Sequence, residues 1–160
     1  MAVDYFLKID GIPGESTDAK HKNEIQLEAF SWGETVEAGH APGSGGAAQK
    51  VQMQNLAFTM TVNKASPKLM LACATGKHIK EATLTARKAG KAQQEFLVFK
   101  FTDVIVASYH TGGGAQEAAP FDQVSLGYSK IQLEYRPQKA DGSLDAPVKA
   151  GWDLKLNKAI

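Results

Sequence analysis

Hydrophobic and polar positions alternate along most of the chain, but in four places the apolar side changes hands partway. Val3, Tyr5, Leu7 and Ile9 give the simple case, a half-buried strand with Asp4 and Lys8 opposite and Phe6 as an apolar residue on the polar side. Between Ile25 and Gly33 the apolar set moves from Ile25, Leu27 and Ala29 to Phe30 and Trp32. Val51 and Met53 likewise give way to Leu56, Phe58, Met60 and Val62. Leu97, Phe99 and Phe101 give way to Val104 and Val106, and Val124, Leu126 and Tyr128 to Ile131, Leu133 and Tyr135. Side chains alternate strictly along a strand, so each switch requires an inserted bulge residue or a strand whose two ends bury opposite faces. Both describe long, bent strands that pass from one packed sheet to another. Two-sided burial in a parallel sheet is the alternative, and it needs more crossover helices than the sequence supplies.

One helix is predicted, with Ser66 as N-cap, Pro67 at the first helical position and Gly76 as the stop. Leu69, Met70 and Cys73 fall on one predicted buried face, which makes Cys73 a small core residue rather than a reactive thiol. Ile79 to Lys88 reads as a further strand, and Trp152, Leu154 and Leu156 as the closing one. Eight or nine strands and one short helix predict a mainly β fold, a barrel of two packed antiparallel sheets.

Three stretches carry little to bury: Val36 to Lys50 with its four glycines, Tyr109 to Pro120, and Pro137 to Val148. Ordering a ~15-residue segment costs on the order of ten kcal/mol or more, so the first, a long extended loop, is predicted to be ordered by a contact outside the monomer.

Length and composition narrow the functional classes. The 160 residues suit a single domain spanning 1–160, which buries roughly 70% of its unfolded surface. No apolar run approaches the ~20 residues of a membrane span. The start, Met1 to Phe6, lacks the pattern of a secretory signal, so synthesis and folding in the cytoplasm are expected. Cys73 is the lone cysteine and has no internal partner. A net charge of +1 supplies no general attraction to nucleic acid or anionic membrane.

Chemistry-bearing motifs are sparse. Neither Gly43 to Gly46 nor Gly112 to Gly114 continues into a phosphate-binding lysine at a helix start, and no cofactor is expected. His21, His40, His78 and His110 lack metal-ligand spacing. Ser44 sits between glycines without the strand-turn-helix context of a nucleophile. Lys77-His78-Ile79-Lys80 and Arg87-Lys88 read as solvated surface, or as interface ion-pairing groups. A non-catalytic building block is the expectation. A free-standing binding barrel is the alternative, and a small hydrolase using Ser44 or His110 comes third.

The chain also resembles a known family. The resemblance rests on the opening MAVDYFLKI, FSWG at Phe30 to Gly33, the glycine-rich loop before Lys50, SPKLMLACATGKHI from Ser66 to Ile79, ARKAG from Ala86, YRPQKADG from Tyr135 and GWDL from Gly151. In order and spacing, these are similar to the haemolysin-coregulated protein family, tube proteins of the bacterial type VI secretion system. The resemblance implies a hexameric ring of identical subunits, rings stacked into an inner tube, sheath and spike partners, effectors carried in the lumen, and exit through the machine itself. It places Ser31 at the lumen wall as a cargo contact. It also makes the long loop, with Gly39, His40, Gly43, Ser44, Gly45 and Gly46, the element that reaches a neighbouring ring.

Overall fold

Each face switch in the sequence coincides with a change of sheet or ladder. The computed structural model describes residues 2–37, 50–89 and 93–160. Within them the elements are β1 (Val3–Ile9), β2 (Ile25–Leu27), β3 (Ala29–Ser31), β4 (Glu34–Thr35), β5 (Gln52–Met53), β6 (Leu56–Thr61), α1 (Ser66–Thr75), β7 (Ile79–Lys88), β8 (Glu95–Gly112), β9 (Phe121–Gly127), β10 (Lys130–Tyr135), β11 (Val148–Asp153) and β12 (Lys158–Ala159). A large sheet runs in the order β12-β11-β10-β8-β7-β1-β2. A smaller one runs β3-β6-β9 and ends on the second half of β8. All pairings are antiparallel.

The 18-residue β8 is the hinge of this arrangement. Leu97 to Thr102 pairs with β10, and Ile105 to Gly112 pairs with β9 in the other sheet. Between them Asp103 adopts φ 56°, a left-handed conformation that aspartate tolerates better than a branched residue would. A register shift between Val106 and Ser108 adds an extra residue, Ala107. Bend and bulge thus both occur, and the chain turns its Leu97/Phe99/Phe101 face and its Val104/Val106 face toward one core. The same crossing occurs between β2 and β3 at Glu28, and between β9 and β10. β4 and β5 form a separate two-stranded ladder at the base of the long loop.

The core is one cluster that includes Leu7, Ile25, Leu56, Met60, Leu84, Phe101 and Leu126, with Leu69 and Ala72 of α1 inserted from outside the sheets. The helix departs from expectation at its start. Its N-cap is Ala65, and Ser66 is the first helical residue. The Ser66 hydroxyl instead donates to the buried Asp122 carboxylate on β9 at 2.6 Å, while Asn63 Oδ1 accepts from the Ala65 N–H at 2.8 Å. A tertiary contact has taken the serine that local pattern assigns to capping. Gly76 ends the helix at φ 63°, as the sequence predicts. Met70 is 50% exposed rather than buried, because Ala72 turns inward in its place; Cys73 is half-buried against the core.

Two loops are shorter than the sequence suggests. β8 extends to Gly112 and so claims the first residues of the Tyr109 to Pro120 stretch. A bridge between Gln138 and Leu144 closes the Asp141-Gly142 turn. At the C-terminal end, β11 stops at Asp153, whose carboxylate accepts from the Leu156 N–H at 3.0 Å. The predicted strand through Leu154 and Leu156 is therefore a turn leading to β12.

Candidate functional site

The outward face of the small sheet carries mostly small side chains in two adjacent cross-strand rows. Inward-facing Phe58, Val124 and Val106 fix the alternation, so their neighbours face away from the core. Ser31, Ala57, Ser125 and Ser108 stand in register across β3, β6, β9 and β8. Ala29, Thr59, Gln123 and His110 form the next row. Six of the eight are alanine, serine or threonine, and the face is hollowed into a cleft of about 360 Å³. Ser108 and Ser125 share a hydrogen bond at 2.6 Å across two strands, so part of the hydroxyl row is already connected. The face thus offers several hydroxyls, one amide and one imidazole over a shallow apolar floor, with the capacity to hold a surface by hydrogen bonds. Ser31 is exposed on β3 and lines this cleft. Gly39, His40, Gly43, Ser44, Gly45 and Gly46 lie outside the described residues.

A second groove of about 230 Å³ lies between the β4–β5 ladder and strands β10 and β11 of the large sheet. Both tryptophans of the chain, Trp32 and Trp152, line it with Met53, Leu133 and Ala150. The Trp32 indole N–H donates to the Tyr128 hydroxyl, which donates in turn to the Gln54 carbonyl at 2.8 Å. Burial, above all, pushes the Tyr128 hydroxyl's pKa up.

A charged cluster that the sequence did not reveal holds the Gly11 to Glu24 loop against the large sheet. Arg87, expected on solvated surface, is 3% exposed. Its guanidinium donates to both Asp18 oxygens at 2.9 and 2.7 Å and lies 4.9 Å from the Phe6 ring centre. The His21 ring stacks on Phe6 at 4.4 Å, with Nδ1 2.9 Å from Glu24 and Nε2 2.6 Å from Glu95. Phe6, the exception to the polar side of β1, is thus sandwiched beneath the loop.

The Arg87 hydrogen bonds hold the Asp18 carboxyl well below the usual carboxylate range. His78 and Lys155 lower Asp103 as well. A carboxylate depressed in the folded state stabilises above its unfolded pKa of about 4, and that contribution fades as pH falls below it. Asp18→Asn is therefore expected to be less stable than wild type at pH 7, with the gap narrowing as pH falls from 4 toward 2. Urea-unfolding midpoints across that range check this; a gap constant with pH would assign the loss to packing instead.

No group of three or more His, Cys, Asp or Glu able to hold a metal occurs among the described residues. Nor is any helix there long and apolar enough to cross a membrane.

Comparison with known proteins agrees with the mainly β fold. The family described as "Type VI secretion system effector, Hcp" matches residues 6–135. Protein hcp1 of Pseudomonas aeruginosa is 45% identical over 159 residues, 98% of each chain. The crystal structure of Hcp1 from Salmonella typhimurium has 43% identity and a TM-score of 0.83, with both chains covered in full. Another structure, described as a type six secretion system protein, reaches a TM-score of 0.92 at 31% identity, over 99% of this chain and 100% of that one. The chain is a member of the Hcp family of type VI secretion system proteins.

Proposed function

We propose that this chain is a non-catalytic tube subunit of a type VI secretion system. Copies join into rings, hexameric as the family resemblance implies, and the rings stack into an inner tube that takes sheath and spike partners and is itself secreted. Ser31 and its row face the lumen and contact carried effectors. The observation that carries this reading is that the small sheet is open at both edges. Among the described residues, β3 pairs only with β6, and the second half of β8 only with β9. Open edges are templates for pairing with another chain, and pairing opposite edges of identical copies closes a ring and leaves no edge exposed.

The purified protein is expected to sediment as a ring-sized oligomer and to appear annular in negative-stain electron microscopy. A monodisperse monomer at micromolar concentrations would overturn the reading and favour a free-standing binding barrel. Deleting residues 39–46 is expected to leave rings intact while impairing stacking and secretion. Rings that dissolve on this deletion would move the loop from the ring-to-ring junction to the subunit junction.

A further inference from the structure

The two rows on the small sheet share a property that the lumen assignment alone does not require. Across eight positions, from Ser31, Ala57, Ser125 and Ser108 to Ala29, Thr59, Gln123 and His110, there is no aspartate, glutamate, lysine or arginine. The chain as a whole is 22% charged. The large sheet places charged pairs on its own surfaces, for example Lys100 with Glu81 at 3.2 Å and Lys149 with Glu134 at 4.0 Å. Charge on the small sheet begins at the margin, where Glu28 accepts a hydrogen bond from Thr61 at 3.2 Å. With strands ~4.8 Å apart, four in register span roughly 14 Å, wide enough to underlie a short stretch of polypeptide.

We propose that this two-row face binds uncharged polypeptide segments of cargo through hydroxyl, amide and imidazole hydrogen bonds over an apolar floor. The inference rests on the lumen reading and names the chemistry of what that lumen accepts. A charged cargo side chain laid on the rows would lose hydration without meeting a carboxylate, ammonium or guanidinium partner, which disfavours it. A neutral one finds donors and acceptors in Ser31, Thr59, Gln123 and Ser125. His110 is exposed at the β8 end of its row, in register with Gln123, so a lysine there sets a fixed charge beside the cleft.

The test uses assembled rings and three fluorescent 20-residue peptides of equal length, one rich in Ser, Thr, Asn and Gln with no charged residue, one Asp-rich and one Lys-rich. Fluorescence anisotropy is expected to show binding of the neutral peptide that changes less than twofold between about 0.05 and 0.5 M NaCl, a range over which exposed charge pairs are screened. Ser125→Lys and His110→Lys are each expected to weaken that binding by about tenfold or more, and Ser125→Asn to preserve it. Preference for either charged peptide, a steep salt dependence, or no binding of the neutral peptide would overturn the proposal.

Placement is tested separately with Ser125→Cys in a Cys73→Ser background. A small maleimide is expected to label it in rings, and a maleimide carried on a folded protein is not. Labelling by both would put the face outside the lumen and overturn the parent reading, whatever the peptides do.

Discussion

Truncating Phe101 to alanine is expected to lower folding stability by about 3–5 kcal/mol. The side chain is 0% exposed and stands in register with Ala82 on β7 and Ile131 on β10, both buried. Its ring lies 6.1 Å from that of Phe99 and 4.9 Å from that of Tyr128, so truncation removes aromatic contacts along with buried area. It also lies two residues before Asp103, where β8 leaves one sheet for the other. The surroundings belong to both sheets and have little freedom to collapse into a cavity. Guanidinium unfolding of Phe101→Ala and Phe101→Leu checks this, with leucine expected to lose far less. A loss below about 1 kcal/mol for the alanine variant would show that the two sheets do not depend on a shared core at this point.

The same crossing explains how much of the fold the sequence disclosed. An apolar face that changes sides midway can be seen in a one-dimensional pattern, because the core lies on opposite sides of the chain before and after a bend. β8 and the β9–β10 pair carry that signature clearly. The helix start departs from local pattern because the contact that recruits Ser66 comes from Asp122, 56 residues away, and no local rule anticipates it. Arg87 departs from local pattern for a related reason. In β7 it lies on the side away from Leu84 and Ala86, where a solvated face is the simple expectation. A signal was present in Phe6, which shares that outer face through its pairing with Thr85, next to the Asp4–Arg87 pair. An aromatic on the supposed water side means that something covers it, and the loop through Asp18 and His21 is that cover. Of the candidate site, Ser31 was reached through resemblance alone. The rows that surround it depend on the registers of four strands, which one-dimensional pattern does not determine.

On the proposed ring assembly, replacing Tyr135 and Val148 together with glutamate is expected to hold the chain monomeric at concentrations where wild type is expected to form rings. One face of β8, β10 and β11 runs from deep core to open surface. The row of Phe101, Ile131 and Trp152 is buried or nearly so, whereas in the row of Leu97, Tyr135 and Val148 the last two are 47% and 66% exposed. The apolar pattern thus continues beyond what this chain can cover, next to the groove holding both tryptophans. Covering those two side chains at a subunit junction contributes on the order of 2–4 kcal/mol, and placing carboxylates there reverses the sign. A change of about 4 kcal/mol raises a dissociation constant by roughly a thousandfold, enough to dismantle a ring closed by several such junctions. Since Trp32 and Trp152 are the chain's only tryptophans, their emission should move to shorter wavelength as wild type assembles on concentration and stay unshifted in the double variant. Sedimentation velocity over the same series gives the oligomeric state independently. Intact rings in the double variant would place the subunit junction on the open edges of the small sheet alone.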